Sequence, residues 1–544
     1  MLSSVIDYIP GWNVWTQAIL AFLIPILASK IYKKMYAITG KGKKPDTADS
    51  KKAETLLEPS GAPFSGDYEA DIQVIRDRIG GNSDLIFREI RMEKTNVRAA
   101  LFYVAGMHND RVLDLHLMEF LMFEAGSDTI NEPGRIRDRL PFSCLLEASD
   151  LNSFNRSVMF GHIGLMIEGE LGGLLIEYPN GANRSVQEPL SEALLRGPRL
   201  GFTEVLSENT SMLRRQGFSD QLEIKTQKVG TRLRKDLALA YIKDIVNPDL
   251  LEEVSARIGK MDFDFIAESG YVEQLIEDNY LSPFQQVQNT ERPDRAIAAL
   301  LEGRIAILLD GTPFVLIVPS TFSMLLQSPE DYYERWLPGS LLRMLRFLAA
   351  FLALMAPALY ISFISFHPGL IPTELAMSII ETRQGVPFPS LIEVLILEVS
   401  IEILREAGIR LPKPVGPAMG IVGGLIIGDA AVQAGIVSPF LVIVVAVTAI
   451  SSFSIPIYSA GLSLRLLRFV GMLFAAFLGM YGTILFFLLL CSHLTKLKSF
   501  GVPYLTPVSP FRLRDWKDLF FRAPLALMKR RPAMTKTQDD KRKS

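Results

Sequence analysis

Residues 341–490 contain apolar runs long enough to cross a lipid bilayer, and four carboxylates lie in the middle of this block. The runs cover 342–366, 415–435, 437–456 and 466–490, and each has the roughly 20 residues that a hydrocarbon core of about 30 Å requires. The sequence therefore predicts four membrane-spanning helices. Between the first two runs lies the segment SLIEVLILEVSIEILREAGIRL, whose acids are Glu393, Glu398, Glu402 and Glu406.

The acids of this segment indicate a role beyond membrane insertion. Ionisable groups at bilayer depth are tolerated mainly where they face protein, a partner charge or water, so we interpret the four acids as pore or gating candidates. On a helix, Glu398, Glu402, Arg405 and Glu406 share one stripe about 100° wide, whereas Glu393 lies off it. The same pattern is typical of an amphipathic helix at the membrane interface with its acids in water, and both interpretations stay open.

Positive charge flanks the membrane block on both sides. Arg335, Arg343 and Arg346 lie at or before the start of the first run, and a basic tail follows the last run. By the positive-inside rule, both flanks are expected in the cytosol, which requires an even number of crossings. Four full spans meet this condition if the glutamate segment re-enters or lies at the interface, which is the arrangement we prefer. If the segment crosses instead, the basic tail is placed outside.

The second apolar run carries a glycine at every fourth position. Gly416, Gly420, Gly424 and Gly428 leave one helix face without side chains, which favours close helix packing in lipid. A chance run of glycines is the alternative. Asp429 follows directly and is a fifth pore or gating candidate, because an acid is costly against lipid.

A further apolar run lies near the N-terminus, at 12–31. Tryptophans lie at one end of it and lysines at the other, which predicts a membrane anchor helix within 1–40. Pro25 leaves a kinked or half-inserted helix as an alternative. Residues 41–67 are polar and rich in lysine, so we expect a flexible linker beside the membrane.

The region between this linker and the membrane block repeats one design. GHIGLMIEGELGGLLIEY at 161–178 and GRIAILLDGTPFVLIVP at 303–319 each join two apolar strands through an acid followed by glycine. This is the pattern of a β-hairpin. We therefore predict an α/β soluble region of two duplicated subdomains with mixed sheets, at 68–195 and 196–336. A polytopic α-helical membrane domain at 337–495 and a basic tail at 496–544 are expected to follow, and chance similarity of two hairpins is the alternative to duplication.

Composition and motif content argue against several classes of function. The 57 basic and 59 acidic residues give no charge excess for binding nucleic acid. Two cysteines, Cys144 and Cys491, are too few for a disulfide framework or a metal cluster. Phosphate-binding, nucleophile and zinc motifs are absent, and the five histidines lack ligand spacing. We therefore expect no enzymatic activity, no cofactor and no bound metal.

Two sets of charged and aromatic residues are interaction candidates. Opposite charges around a Gly-Pro turn at 184–216 suit a subunit or subdomain contact, although a solvated helical face is the alternative. This contact set is Glu188, Arg196, Arg199, Glu204, Arg214 and Arg215. Aromatic residues and arginine before the first apolar run suit the membrane interface, and this junction must carry any signal into the membrane. The junction set is Asp331, Tyr332, Tyr333, Arg335 and Trp336.

Over about residues 70–520, the chain resembles the A subunits of bacterial spore germinant receptors, the GerA family. The resemblance rests on the segment 184–216, TERPDR at 290–295, LLDGTPFVLIVPSTF at 308–322, SPEDYYERW at 328–336 and HPGLIPTELAMSI at 367–379, in this order. The apolar run at 12–31 departs from the pattern, since most relatives begin with the soluble region.

This resemblance implies a protein of the spore inner membrane that helps to trigger germination. It implies a receptor with a B-type membrane subunit and a C-type lipoprotein, in which A subunits oligomerise, as pentamers, into a nutrient-gated cation channel. A non-conducting scaffold or amplifying subunit is the alternative, and a related branch encoded with the dipicolinate channel proteins shares the motifs. The soluble region and the tail are expected to face the cytosol or spore core. Membrane lipid is a further expected partner.

Overall fold

The structure is a computed structural model that describes residues 62–94, 96–107, 117–124, 140, 142, 145–177, 188–189, 191–217, 219–410 and 416–542. The expected anchor within 1–40, most of the expected linker and Cys144 lie outside the described residues. The described chain contains two five-stranded sheets, a group of long apolar helices, and a C-terminal segment that packs back on the second sheet's subdomain.

The first subdomain is built on strands β1 (Leu85–Arg91), β2 (Arg98–Val104), β3 (Leu145–Glu147), β4 (Ile163–Ile167) and β5 (Gly173–Ile176). They lie in the order β1-β2-β4-β5-β3, and every neighbouring pair is antiparallel. Helices α1 (Tyr68–Ile79) and α2 (Leu151–Met159) cover one face of the sheet, and a segment ending in the π-helical turn Phe120–Glu124 covers the other. Because both faces are covered, the central strands are continuous apolar runs.

The second subdomain repeats this arrangement. Its strands are β6 (Leu222–Val229), β7 (Lys235–Ile242), β8 (Gln288–Thr290), β9 (Ile305–Leu309) and β10 (Val315–Val318). Their order is β6-β7-β9-β10-β8, again with all pairs antiparallel. Helices α3 (Leu206–Arg215) and α6 (Pro293–Leu300) pack on one face, and α4 (Pro248–Gly259) and α5 (Ser269–Ile276) pack on the other.

The equal strand order supports the predicted duplication, but the prediction of mixed sheets is wrong. The two predicted hairpins are β4–β5 and β9–β10, and the glycine at each turn has positive φ, 91° at Gly169 and 85° at Gly311. The long segments after β2 and β7 do not return the chain parallel to a neighbouring strand. They lead it to the far edge of each sheet, where β3 and β8 run antiparallel to β5 and β10.

Helices α7 (Phe322–Leu326) and α8 (Glu330–Tyr333) connect the second sheet to the apolar helices. These are α9 (Trp336–Ser365), α10 (Thr373–Arg383), α11 (Ser390–Arg410), α12 (Gly416–Gln433), α13 (Pro439–Phe453) and α14 (Tyr458–Lys496). By length and composition, α9 and α14 are able to cross a membrane. The spans predicted at 415–435 and 437–456 correspond to α12, with 18 residues, and α13, with 15.

Helix α14 reverses its direction at Gly479, which has φ 60° and ψ −138°. The rings of Phe474 and Phe486 lie 5.8 Å apart across this reversal. Ser459 and His493, near the two ends, bond Gln285 and Ser282 respectively, whereas a straight helix of 39 residues would be about 58 Å long. The helix is therefore a hairpin whose two ends both lie beside the second subdomain.

The single span predicted at 466–490 accordingly corresponds to parts of two helices. The sequence stays apolar on both sides of Gly479, so hydropathy alone predicts a single span. The structure instead has two antiparallel helices there, 458–478 and 480–496. These halves are about 31 and about 25 Å long. Ser362 of α9 bonds Thr483 with a separation of 2.6 Å between their hydroxyl oxygens, which brings the far end of α9 to the tip of the hairpin.

Gly479→Ala is expected to destabilise the helical region by about 1–3 kcal/mol, because alanine is strained at this φ and lacks space. A Cβ at Gly479 would lie 2.8 Å from Phe366 and 3.1 Å from His367. Thermal unfolding of the purified chain in detergent measures the loss. Gly369→Ala is the matched control, since its Cβ would meet no atom within 4 Å. An alanine variant at 479 as stable as the control would contradict the hairpin.

The C-terminal segment, residues 497–542, folds back over the second subdomain. It begins with the short strands β11 (Lys498–Ser499) and β12 (Val502–Pro503). Tyr504 donates to the backbone oxygen of Gln285 at 2.6 Å, and Arg531 donates to that of Leu301 at 2.9 Å. The segment predicted as a basic tail is thus packed against both the subdomain and the start of the apolar helices.

Candidate functional site

Arg214 joins the two subdomains. This residue of α3 donates to both carboxylate oxygens of Asp84, at 2.6 and 2.7 Å, and to the side-chain oxygen of Asn82 at 3.0 Å. Asp84 and Asn82 precede β1 in the first subdomain. The side chains of Arg214 and Asp84 are 1% and 6% exposed, so the pair is dry and its geometry is bidentate. Arg214 is the member of the predicted contact set that lies between subdomains.

The other members of that set do not gather into one cluster. Arg196 pairs with Glu334 at 3.7 Å, and Arg199 pairs with Glu188 at 3.0 Å on the exposed surface. The two remaining members are exposed and are Glu204 and Arg215. Residues 191–205 form neither helix nor strand, so charges that are close in sequence spread over different surfaces.

Asp331 lies at the centre of the junction between the second subdomain and α9. It is fully buried and accepts hydrogen bonds from Arg343 Nε at 3.0 Å and from Arg346, both on α9. Arg343 also donates to Asp518 of the C-terminal segment at 2.7 Å. Arg522 donates to the backbone oxygen of Asp331 at 2.8 Å. One residue therefore ties together the subdomain, the first apolar helix and the C-terminal segment.

The tyrosines of the junction set extend this network. Tyr332 donates to Asp518 at 2.5 Å, and burial, together with the charge of Asp518, raises the pKa of Tyr332 well above its usual range. The phenol therefore keeps its proton as a donor. Tyr333 donates to Asp294, and burial raises the pKa of Tyr333 as well. The last two members of the junction set are exposed at the start of α9 and are Arg335 and Trp336.

Glu398 of α11 and Arg468 of α14 form a buried ion pair. Arg468 Nη2 lies 2.9 Å from Glu398 Oε2, and each side chain is 1% exposed. A buried charge is costly unless it is paired, so each of these residues accounts for the burial of the other. The predicted pore candidate Glu398 thus faces protein in this structure.

Glu402 lies one helical turn further along α11, between two more arginines. Its carboxylate is 3.2 Å from Arg405 Nη1 and 3.5 Å from Arg465 Nε. The arginine side chains are 6% and 7% exposed, whereas that of Glu402 is 33% exposed, so the group reaches the surface at Glu402. The charged layer, as we name it, holds three positive and two negative charges, on Glu398, Glu402, Arg405, Arg465 and Arg468.

The remaining predicted pore acids are placed differently. Glu393 is fully buried and pairs with Arg383 of α10. Glu406 is exposed and pairs with Arg410 at 2.7 Å, and Asp429 is exposed on α12. The five acids therefore do not form one group within the chain. Among the residues that the structure describes, no set of three or more His, Cys, Asp or Glu is placed to hold a metal ion.

The glycine positions of α12 are only partly at a helix contact. The side-chain surroundings of the first two predicted packing glycines lie outside the described part of the chain. A Cβ at Gly428 would lie 3.3 Å from Val442 of α13, whereas one at Gly424 would meet no atom within 4 Å. The contact with α11 is at Gly423 instead, where a Cβ would lie 2.8 Å from the side chain of Leu404. Within this chain, the packed face is therefore shifted by one residue from the prediction at Gly424.

Sequence patterns did not identify three of the residues that hold these sites together. Arg468 lies within an apolar run, and an arginine there needs a partner as much as an acid does. Its position in the sequence could therefore have identified it as a candidate partner for an acid. Asp518 and Arg522 lie in a segment without periodic pattern. Nothing in the sequence alone relates that segment to α9.

A duplicated α/β region, joined through a buried ion network to long apolar helices, is the arrangement of a membrane-associated protein with a large soluble part. The family model described as Bacillus/Clostridium GerA spore germination protein matches residues 73–534. The chain belongs to this family, and its membership supports the role of a spore germinant receptor subunit.

Individual relatives show how far the similarity extends. Spore germination protein GerLA of Bacillus cereus is 42% identical over 468 residues, covering 86% of this chain and 95% of the relative. Spore germination protein B1 of Bacillus subtilis (strain 168) is 40% identical over 480 residues, covering 88% and 99%. Both alignments are long enough to include the subdomains and the apolar helices. The crystal structure of the N-terminal domain of the A subunit of the Bacillus megaterium spore germinant receptor GerK3 is 30% identical, covers 48% of this chain and 99% of that domain, and has a TM-score of 0.39.

Proposed function

We propose that this chain is the A-type membrane subunit of a spore germinant receptor, and that several copies form a cation channel that opens when nutrient is detected. The buried pair of Glu398 and Arg468 carries this proposal. An apolar helix bundle does not need charges between its helices, and a buried ion pair adds little stability over an apolar contact. Ionisable residues inside membrane domains are found at ion pathways and at moving elements.

In this proposal the apolar helices make six membrane crossings, and the directions of the helices support that arrangement. Helix α9 starts beside the second subdomain and reaches the tip of the α14 hairpin. Helix α11 runs back antiparallel to the first half of α14, since Glu398 pairs with Arg468 and Glu402 with the earlier Arg465. Helices α12 and α13 form a second pair, and the halves of α14 form a third. The glutamate helix crosses in this proposal, and both flanks still lie on one side, as the positive-inside rule requires.

The charged layer suits a gate in its closed state. Its acids are neutralised by arginines, and its net charge is positive, so a cation is repelled. A shift of α11 against α14 would separate the pairs and expose Glu398 and Glu402 to a pathway between copies. Asp331 supplies a route for the signal, because it connects the second subdomain directly to α9.

The assembly that we propose around this chain is a receptor in the spore inner membrane. A B-type membrane subunit and a C-type lipoprotein would complete it, and the copies of this chain would form a ring, with five as the expected number. The soluble region, the C-terminal segment and the start of α9 would face the spore core.

A non-conducting scaffold or amplifying subunit is the second candidate function, and one observation favours it. The charged layer has three arginines and two glutamates, and all five side chains are at least partly buried within a single chain. In that case the layer serves to hold α11 against α14, and ions pass through another subunit.

Glu402→Gln separates the two candidates. Glu402 is partly exposed, so its neutralisation should cost less stability than loss of the buried Glu398, and it increases the net positive charge of the charged layer. For a channel, we expect a several-fold decrease in the K⁺ to Cl⁻ permeability ratio of nutrient-triggered flux through reconstituted receptor. The control is Glu381→Gln, an exposed acid on α10 outside the layer. Unchanged flux in Glu402→Gln, with assembly retained, would favour the scaffold.

A further inference from the structure

A second charged site lies outside the membrane helices, where the C-terminal segment covers the second subdomain. It is a cavity of about 290 Å³ between the loop before β9, helix α7 and residues 507–542. Seven of its lining residues are basic and three are acidic, so the cavity carries an excess of positive charge. We name it the tail pocket.

Arg304 is a buried donor of the tail pocket. Its side chain is 1% exposed, and Nη1 donates to the backbone oxygen of Pro319. Its Nε has no hydrogen-bond partner among the described residues, and the nearest carboxylate, on Glu302, is 3.6 Å away. Burial lowers the pKa of Arg304 and raises the pKa of Glu302, although the Glu302 side chain is still 21% exposed. A buried guanidinium with a free donor favours an incoming negative group.

Two lysines complete the positive charge at the exposed side of the tail pocket. Lys517 and Lys529 are exposed and make no ion pair or side-chain hydrogen bond within the described part of the chain. Arg542, by contrast, already pairs with Glu302 at 3.0 Å. An ammonium group on a flexible stem is free to bind phosphate as a point charge. The pocket thus combines one fixed buried donor with two free charges.

We propose that the tail pocket binds a small soluble polyvalent oxyanion, a phosphate or a polycarboxylate. The volume fits such an ion, and the buried Arg304 together with the unpaired Lys517 and Lys529 favours a polyvalent anion over chloride. Asp518 lines the same pocket and binds Arg343 and Tyr332 at the junction. A bound anion therefore strengthens the contact between the C-terminal segment, the second subdomain and α9, so that ion composition on this side of the membrane acts on the junction.

Thermal unfolding of the full chain in detergent tests this binding. Inorganic phosphate and citrate are titrated against sodium chloride at matched ionic strength, and both are expected to raise the unfolding temperature in a saturable way. The double variant Lys517→Met, Lys529→Met should raise the apparent Kd for phosphate by about tenfold. Arg304→Met should raise it further, and Lys260→Met, an exposed lysine outside the pocket, should leave it unchanged.

Several results would overturn the proposal. One is stabilisation by phosphate no greater than that by chloride, and another is an equal loss in the Lys260 control. A third is stabilisation only in nanodiscs that contain phosphatidylglycerol, relative to phosphatidylcholine, which would identify a lipid headgroup as the source of the anion. Because binding is measured without ion flux, failure of the channel proposal leaves this test unaffected.

Discussion

Asp331→Asn is expected to destabilise the connection between the second subdomain and the first apolar helix by about 3–5 kcal/mol. The substitution leaves Arg343, which is fully buried, and Arg346 without the carboxylate that both of them contact. Asp518 still pairs with Arg343 at 2.7 Å, so the fold is weakened at the junction and is not abolished. Thermal or denaturant unfolding of the purified chain measures the loss.

A coupling measurement distinguishes this junction from an ordinary buried contact. Hydrogen exchange at the first turns of α9 should increase strongly in Asp331→Asn, because the variant frees the start of that helix. Glu330→Gln, the neighbouring acid on α8, is the matched control and should change neither quantity. The interpretation fails if Asp331→Asn unfolds within about 1 kcal/mol of the control, or if exchange at α9 is unaltered.

In the α/β region, local sequence patterns predicted the two hairpins but not the direction of the strands at the far edge of each sheet. The acid followed by glycine at 168–169 and 310–311 needs a turn with positive φ, and two apolar runs around such a turn make a hairpin. Strand direction at the far edge depends instead on where a long connecting segment returns. No local pattern encodes that position, so the predicted mixed sheets were wrong.

The apolar helices show the same limit of prediction from local sequence. Apolar length predicted helices at α9, α12 and α13, but it read through Gly479, where one residue reverses the chain. Because that reversal was missed, the predicted number of apolar helices was one too few, and an even number of crossings then required a re-entrant or interfacial glutamate segment. The acids of α11 were interpreted as pore or gating candidates, and the structure pairs Glu398 with a buried arginine. Its partner, Arg468, is 70 residues away, and a single sequence does not pair such distant positions.

Glu398→Gln and Arg468→Gln are each expected to destabilise the chain by about 3–5 kcal/mol, because each leaves one buried charge without its partner. The reversed pair, Glu398→Arg with Arg468→Glu, should recover most of the stability that either reversal loses alone. The double replacement by Leu at 398 and Met at 468 should cost much less than the sum of the single losses. For each pair of substitutions, thermal unfolding of the wild type, the two single variants and the double variant in detergent or nanodiscs gives the four corners of a cycle.

Glu406→Gln provides the internal control on the same helix. Glu406 pairs with Arg410 on the exposed surface, so its loss should change stability by less than about 1 kcal/mol. Additive losses in the double variants would mean that Glu398 and Arg468 do not touch. Recovery by the reversed pair requires α11 to lie against the first half of α14 along its buried length. A glutamate segment lying at the membrane interface would not provide that contact, so the cycle decides between the crossing helix and the interfacial one.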